Sequence, residues 1–181
     1  MNLSVITSTN NPKYYRSFVN QMKHQSINGI KIEHIIIQES KDFEDFYTTD
    51  SINCVIKRQA PSNDYGAAAK DVGLKLAKGE YVCFFDDDNI YYPHALSTLY
   101  STVLKHDIGI CRAKYKDRVI PSDNKIECCD IDTMCFIVRT SLAKQVEWAG
   151  GGRFSDYRFI NSIKDLTCDI IYNDIIIGEH L

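Results

Sequence analysis

The sequence predicts an α/β fold in which helices cover both faces of a mostly parallel sheet that carries a small antiparallel part. Apolar segments of strand length alternate with segments of helical periodicity through the first two-thirds of the 181 residues. This alternation is typical of parallel strands joined by helical crossovers. The four prolines and nine glycines leave no long disordered or collagen-like tract. We therefore expect one domain over residues 1–181, long enough to bury its own core.

Each predicted strand of this part is a short, mainly apolar run. In chain order the strands are Leu3–Thr7, Ile32–Gln38, Asn53–Lys57, Tyr81–Phe85 and Ile108–Ala113. The polar segment Lys41–Thr49 predicts a connection. The residues that open the intervening helices are Asn11 with Pro12, then Asn63 or Asp64, then Pro93. Gly79 follows the second helix, where a left-handed residue is typical.

After Lys114 the pattern changes to shorter segments. These are strands Arg118–Pro121 and Glu127–Val138, a helix Thr140–Val146, a glycine turn Gly150–Gly152, a helix Asp156–Ile163 and a strand Thr167–Ile177. We expect Asn173 and Asp174 to interrupt the last strand, because both residue types are uncommon in strands.

Charge and cysteine usage exclude several classes of protein. Lys and Arg number 21 and Asp and Glu 24, which gives a formal charge of −3. Binding of nucleic acid through its phosphates needs a basic face, so no nucleic-acid partner is expected. The seven cysteines are irregularly spaced without a C-x-x-C pair, which disfavours a zinc ribbon or a redox motif. We expect reduced thiols in a reducing compartment.

Targeting signals are absent from the sequence pattern. The first residues lack the basic and long apolar regions of a signal peptide. No apolar run approaches the ~20 residues of a transmembrane helix. We therefore expect a cytoplasmic protein, with peripheral contact to a membrane left open.

Three consecutive aspartates, Asp86, Asp87 and Asp88, follow the apolar run Tyr81–Phe85. Ligands of open parallel sheets bind outside the carboxyl ends of the strands. Adjacent carboxylates repel one another, and a divalent cation such as Mg²⁺ or Mn²⁺ relieves that repulsion. In extended chain Asp86 and Asp88 point to the same side and Asp87 to the other. The triplet therefore predicts a metal- and phosphate-binding strand end.

The stretch Asn63–Asp88 resembles the central segment of family 2 glycosyltransferases of the GT-A fold. That segment reads N-x-G…A-R-N-x-G-L-x-x-A-x-G-x-Y and leads into a strand and a D-x-D. Val5–Pro12 is similar to the family's V-I-I-P-T-Y-N-R opening, and Pro93 with Leu96 to its P-x-x-L. The resemblance covers residues 3–105 well and the remainder weakly.

The resemblance implies a metal-dependent enzyme that transfers a sugar from a nucleotide-diphosphate donor to an acceptor hydroxyl with inversion. UDP is the favoured nucleotide, with GDP and dTDP open, and Mn²⁺ or Mg²⁺ is the cofactor. The acceptor is a glycan or a lipid-linked or protein-linked group. Residues 1–105 become the donor-binding half and residues 106–181 the acceptor-binding and catalytic half.

Residue by residue, the resemblance implies donor binding by Thr7, Thr9, Glu39, Lys70, Asp86 and Asp87, and metal binding by Asp88, Asp86 and His180. Two positions depart from the family pattern. Glu39 stands where the family has the Asp that contacts the base, and Asp71 stands where it has Asn. An alternative interpretation of Glu39 and Asp71 is that they are exposed charges on the surface.

The catalytic base implied by the resemblance is Asp156. It follows Gly151–Phe154, which is similar to the family's Gly-Gly-Phe turn, although Ser155 replaces the first of the usual acidic pair. A helix N-cap explains an Asp at this position equally well.

On the acceptor side, Asp130 or Asp132 is expected to bind hydroxyls. Trp148 is expected either to stack on the acceptor sugar or to belong to the core.

Two other functions remain open. The departures at Glu39, Asp71 and Ser155 are compatible with a non-catalytic module that binds nucleotide sugars. A sugar-1-phosphate nucleotidyltransferase uses a similar sheet, but its glycine-rich phosphate loop is missing from Thr7–Asn11.

Overall fold

The structure, a computed structural model, describes residues 2–27, 29–39, 52–148 and 150–181. Within these ranges the strands are β1 (Leu3–Thr9), β2 (Ile32–Gln38), β3 (Ile52–Arg58), β4 (Tyr81–Phe84), β5 (Ile90–Tyr91), β6 (Ile108–Tyr115), β7 (Arg118–Ile120), β8 (Phe136–Arg139) and β9 (Ile170–His180). The helices are α1 (Pro12–Lys23), α2 (Ala67–Leu76), α3 (Ala95–Val103), α4 (Thr140–Ala143) and α5 (Ser155–Lys164). The predicted connection Lys41–Thr49 lies outside the described residues.

The strands form one mixed sheet in the order β3-β2-β1-β4-β8-β6-β9-β5, with β7 paired to β6. β3, β2, β1 and β4 are parallel neighbours, while β8 runs antiparallel to both β4 and β6. β9 is parallel to β6 and antiparallel to β5. The predicted α/β class, with a parallel part and a smaller antiparallel part, is confirmed.

The parallel strands lie in the interior. All seven residues of β2 are buried, and six of the seven residues of β1 are buried. Strands covered on both faces by helices read as continuous apolar runs, which is the pattern that the sequence shows here. The carboxyl ends of β1, β2 and β4 therefore come together at one edge of the sheet.

The predicted residue caps α1, whereas the N-cap of α2 is Gly66 and α3 begins at Ala95, two residues after Pro93. Asn11 accepts a hydrogen bond from the Lys13 backbone N–H at 3.0 Å and caps α1. Asp64 Oδ2 accepts the Ala68 N–H at 2.9 Å, so it satisfies the first turn of α2 from outside the helix.

Other details of the prediction are wrong. Gly79 is not left-handed. A Cβ at this position would lie 2.5 Å from the Ser4 backbone nitrogen, so glycine is needed where the loop before β4 passes close to β1. Of the predicted strand Glu127–Val138, strand structure begins only at Phe136. β9 continues through Asn173 and Asp174, because shifts in its register with β6 accommodate them.

An aromatic cluster links the sheet to α5. The Trp148 ring stacks on Phe159 with centroids 4.2 Å apart, and both rings contact Phe84 edge-on. Phe84 belongs to β4 and Phe159 to α5, so the cluster fixes the helix relative to the strand that ends at the aspartates. No helix within the described ranges has the length and apolar character that a bilayer crossing requires.

Candidate functional site

A cavity of about 320 Å³ opens at the carboxyl ends of β1, β2 and β4. Its lining includes Ser8, Asn10, Glu39, Asp64, Tyr65, Lys70, Asp86, Asp87, Asp88, Asp132, Arg153, Ser155, Asp156 and His180. We call it the first cavity. Eight of the predicted site residues therefore converge on one place, although they come from both halves of the chain.

The buried Lys70 and the partly exposed Asp86 form an ion pair in the wall of the first cavity. Lys70 Nζ lies 2.9 Å from Asp86 Oδ1, and Thr133 Oγ1 donates to Asp86 Oδ2 at 2.8 Å. Burial opposes the charge of Lys70, but the carboxylates of Asp86 and Asp156 outweigh it and raise its pKa. Lys70 is thus a permanent cation held by carboxylates at the strand end.

Asp87 and Asp88 both line the first cavity, so Asp87 is not turned away from it as expected, but the surroundings of the two carboxyls differ. Thr9 Oγ1 donates a hydrogen bond to Asp87, and burial raises the pKa of that carboxyl to about 7. Asp88 is exposed in the cavity, and its pKa is raised by partial burial and then by the charge of Asp86. Of the three aspartates, Asp88 therefore has the carboxylate that is most open to a cation.

Asp132 and His180 form a second charge pair at the far side. His180 Nδ1 lies 3.1 Å from Asp132 Oδ2, although this buried nitrogen has no hydrogen bond of good geometry in the described structure. The contact raises the pKa of His180. Burial acts against the charge of Asp132, yet His180 and the Met134 N–H lower its pKa. His180 lies within β9 and is therefore ordered by the sheet.

Asp156 is the second residue of α5 and is not its N-cap, which is Phe154. Its carboxyl lines the first cavity, and burial raises its pKa to about 7, against the opposing charge of Lys70. A carboxyl of this kind accepts a proton near neutral pH. The helix-cap interpretation therefore does not explain its position.

The residues fit a divalent cation only if the substrate completes its coordination. Among the described residues no three His, Cys, Asp or Glu side chains are arranged to enclose a metal ion. Mg²⁺ is commonly held by one or two carboxylates together with water and substrate phosphates. Asp88 offers such a carboxylate, and its charge acts on His180 nearby. Asp86 is less available because Lys70 and Thr133 occupy both of its oxygens.

Glu39 is buried in the wall of the first cavity beside the loop before α2. Its Oε1 accepts hydrogen bonds from Gln59 Nε2 at 3.1 Å, from the Ser62 N–H at 3.1 Å and from Ser62 Oγ at 2.8 Å. Glu39, which is one methylene longer than the Asp of the family pattern, thus holds the loop before α2 through these hydrogen bonds. Asp71 accepts the Trp148 N–H at 2.9 Å, so it is a structural residue and not a surface charge.

The structure does not bring the hydroxyls of Thr7 and Thr9 to the first cavity, and for Trp148 it favours the core alternative. Thr7 is fully buried, and its hydroxyl lies 2.9 Å from His34 Nε2, away from the first cavity. The Thr9 hydroxyl is buried against Asp87. Trp148 is 2% exposed and packs in the aromatic cluster, with Lys70 Nζ 4.9 Å from its ring centroid. Its role is to support Lys70 and α5, because no sugar face reaches a ring in the core.

Several cavity residues were missed by sequence reasoning. Ser8 and Asn10 line the cavity in place of Thr7 and Thr9. Thr133 orients Asp86, and its position after Asp132 gave no signal of that contact. Arg153 lines the cavity directly after three glycines of positive φ; this turn was used to predict Asp156 but not Arg153.

A second cavity of about 270 Å³ adjoins the first and shares four of its residues, Asp132, Arg153, Asp156 and His180. Its other lining residues are Tyr115, Arg118, Ile120, Cys129, Ile131, Phe154 and Tyr157. Asp156 thus borders two spaces, as a group that acts between two substrates must.

Comparison with known proteins agrees with the fold. Residues 4–128 match the family described as Glycosyl transferase family 2. No curated protein sequence matches the chain. The crystal structure of S. aureus TarS 1-349 is similar with a TM-score of 0.77 and 19% identity, over 99% of this chain and 60% of that chain.

Two ligand-bound structures have the same fold. TarS 1-349 in complex with UDP-GlcNAc gives a TM-score of 0.72 at 19% identity, over 99% of this chain and 58% of that chain. The mannosyltransferase PcManGT from Pyrobaculum calidifontis, in complex with GDP-Man and Mn²⁺, gives a TM-score of 0.73 at 13% identity. The alignment covers 99% of this chain and 56% of that chain. The chain thus spans less than two-thirds of each of these chains. Since the family match covers residues 4–128 of 181, the chain belongs to glycosyl transferase family 2.

Proposed function

We propose that the chain transfers a sugar from a nucleoside-diphosphate donor, with UDP favoured, to an acceptor hydroxyl in a cation-dependent, inverting reaction. The observation that carries this proposal is the meeting of Lys70, Asp86, Asp88 and Asp156 in the first cavity. Similar structures in complex with UDP-GlcNAc, or with GDP-Man and Mn²⁺, support it.

The donor diphosphate lies against Lys70 and the exposed end of the aspartate triplet in this proposal. Lys70 is the buried cation of the first cavity, and Asp86 fixes the position of its ammonium group. A preorganised cation stabilises the charge that develops on the departing nucleoside diphosphate without reorganising during the reaction. Glu39 and the loop that it orders form the wall for the nucleoside.

Asp88 and His180 are the residues that would hold the divalent cation, with Asp86 behind them. When bound, this cation supplies Lewis-acid stabilisation of the diphosphate leaving group. Asp87 is turned toward Thr9 and supports the triplet. Because few protein ligands are present, we expect cation and donor to bind together rather than separately.

Asp156 acts as the general base in the proposed reaction. An inverting transfer needs a group that removes the acceptor proton on the side opposite the leaving group. Asp156 borders both cavities, and its pKa of about 7 lets the carboxylate accept a proton at neutral pH. The acceptor hydroxyl then enters from the second cavity, where Asp132 is positioned to orient it.

A panel of nucleotides tests the donor assignment. UDP, GDP and dTDP are each added with and without Mn²⁺, and the unfolding temperature is measured, since a ligand of the native state raises it. We expect UDP with Mn²⁺ to give the largest increase. No increase with any nucleotide contradicts the proposal.

Donor hydrolysis distinguishes an enzyme from a binding module. The corresponding sugar nucleotides are incubated with Mn²⁺ or Mg²⁺, and free sugar and free nucleotide are measured. Slow release of sugar supports the transferase. Binding of nucleotide without release or transfer under either metal supports the non-catalytic module instead.

A further inference from the structure

The second cavity has its charges separated along its depth. Its carboxylates, Asp132 and Asp156, are largely withdrawn from solvent, whereas the guanidinium groups of Arg118 and Arg153 are at the exposed side. Asp132 is already paired with His180. A ligand that fits this arrangement places a hydroxyl at the buried end and a negative charge at the exposed end.

Arg153 is available to a ligand. It is exposed, and it makes no ion pair or hydrogen bond with any residue in the part of the chain that the structure describes. Gly150, Gly151 and Gly152, with φ of 67°, 59° and 87°, precede it and turn the backbone tightly. An unpaired guanidinium that lines a cavity is a typical partner for carboxylate or phosphate.

Arg118 is held in place and still half-exposed. Its Nη2 donates to the Cys129 carbonyl at 2.6 Å, and its side chain is 50% exposed. Its Nη1 also donates to Asp130 Oδ1 at 3.4 Å and forms an ion pair with that carboxylate. Asp130 Oδ2 already accepts hydrogen bonds from the Ser122 N–H and Oγ, so its charge is shared. Arg118 lines only the second cavity, which separates its role from that of the donor site.

Aromatic rings also line the second cavity. Tyr115, Phe154 and Tyr157 line the second cavity, and Phe154 is 40% exposed. The Arg118 guanidinium lies 5.5 Å from the Tyr115 ring centroid, and Lys116 Nζ lies 5.1 Å from it on the same hairpin. Aromatic walls with a few placed polar groups are typical of sites for small ligands that have an apolar face.

We propose that the acceptor is a sugar or polyol that carries a phosphate or carboxylate group, and that Arg118 and Arg153 bind this group at the rim of the second cavity. The assignment of the ligand as acceptor rests on the proposed function. The ring or carbon chain packs against Tyr115 and Phe154, and the reacting hydroxyl points toward Asp156. Arg118 and Arg153 thus determine acceptor specificity by charge.

Cys129 provides a test that needs no catalysis. This exposed thiol lines the second cavity, whereas the exposed thiol of Cys168 does not. The protein is alkylated with iodoacetamide in the presence of glucose, glucose 6-phosphate, glucuronate or glycerol 3-phosphate, and both sites are quantified by peptide mass spectrometry. We expect at least one anionic compound to protect Cys129 at a concentration at least tenfold lower than glucose, with Cys168 unaffected. The phosphate and carboxylate arms show which anion is preferred.

Charge variants assign the effect to the two arginines. Arg118→Gln and Arg153→Gln should each remove the advantage of the anionic compound, Arg118→Lys should retain part of it, and Lys13→Gln, at a residue that lines neither cavity, should retain all of it. Arg153 has no hydrogen bond or ion pair to lose among the described residues, so its variant controls for a disturbed fold. Equal protection by neutral and anionic compounds, no protection by any of them, or an advantage that survives both Gln variants overturns the proposal.

The outcome is independent of the donor assignment. Protection of Cys129 without any nucleotide binding would leave the anion site in place and refute the transferase. Nucleotide binding without anion-selective protection would refute the anion site alone.

Discussion

Asp156 has contacts that suit a base more than a structural residue. It lies in the first turn of α5, where a carboxylate is favoured by the helix dipole, yet burial raises its pKa to about 7. Lys70 is close enough to act on it electrostatically and keeps the deprotonated form accessible. The balance of these two effects gives a carboxyl that exchanges its proton near neutral pH.

Replacing this carboxyl should abolish transfer and spare donor binding. We expect Asp156→Asn to lower the transfer rate by about 10²–10⁴-fold, the usual contribution of a general base. The rise in unfolding temperature with UDP and Mn²⁺ should persist. Asp165→Asn, an exposed carboxylate at the end of the same helix, is the matched control. Transfer by Asp156→Asn at the wild-type rate would remove Asp156 from the mechanism.

At the scale of elements, β1 shows what the sequence predicts and what it does not. Its apolar run predicts the strand, and the structure brings its carboxyl end beside the aspartates. Side chains alternate along a strand, so Thr7 and Thr9 share one face and Ser8 the other. Because β1 is buried on both sides over most of its length, its composition does not show which face looks into the cavity.

The junction between β4 and α5 depends on Trp148. Its indole stacks on Phe159 and contacts Phe84, and the backbone N–H is bound by Asp71. We expect Trp148→Ala to lower the free energy of unfolding by about 3–5 kcal/mol, as for other large-to-small changes of buried aromatic residues. Trp148→Phe should cost less, because a ring remains. Urea unfolding measures both, and a wild-type midpoint for the Ala variant would contradict the core assignment.

β2 carries a buried histidine that makes stability depend on pH. His34 is fully buried beside Thr7, and burial lowers its pKa from 6.5 to about 3. The unfolded chain therefore binds a proton below pH 6.5 that the folded chain does not. The contribution of neutral His34 to the free energy of unfolding is therefore fully present above pH 6.5 and is lost as the pH falls toward 3.

The size of this effect is measurable. Between pH 7 and pH 5 we expect His34 to contribute a loss of about 2 kcal/mol in the free energy of unfolding. Urea unfolding at both pH values, for the wild type and for His34→Gln, isolates the contribution from that of the carboxylates. Equal losses in the two proteins would show that His34 is protonated in the fold.

At the scale of the whole molecule, the two cavities are built from segments far apart in the sequence. Lys70 lies near the start of α2, and Asp86 follows β4. Their approach follows from a parallel sheet, in which the carboxyl ends of the strands and the starts of the next helices share one edge. His180 and Asp132 meet only because β9 pairs with β6 and brings the end of the chain across the sheet. The sequence does not predict the second cavity. Nothing in the local sequence of the β6–β7 hairpin, the glycine turn or the segment around Cys129 indicates that these three segments lie side by side.

The shared wall between the cavities links the two proposed substrates. Asp132, Arg153, Asp156 and His180 border both spaces, so a donor in one and an acceptor in the other would meet at Asp156. The formal charge of −3 is compatible with binding a diphosphate, because the proposed site would rely on Lys70 and on a divalent cation rather than on a broad basic face.

Binding of UDP to wild type and Asp88→Ala, each with and without Mn²⁺, tests the central claim most directly. Asp123→Ala, at an exposed carboxylate outside both cavities, is the control. We predict that Mn²⁺ strengthens UDP binding in the wild type and in Asp123→Ala, and that Asp88→Ala loses this enhancement. Equal enhancement by Mn²⁺ in Asp88→Ala would contradict the assignment of the aspartate triplet as the metal- and diphosphate-binding strand end.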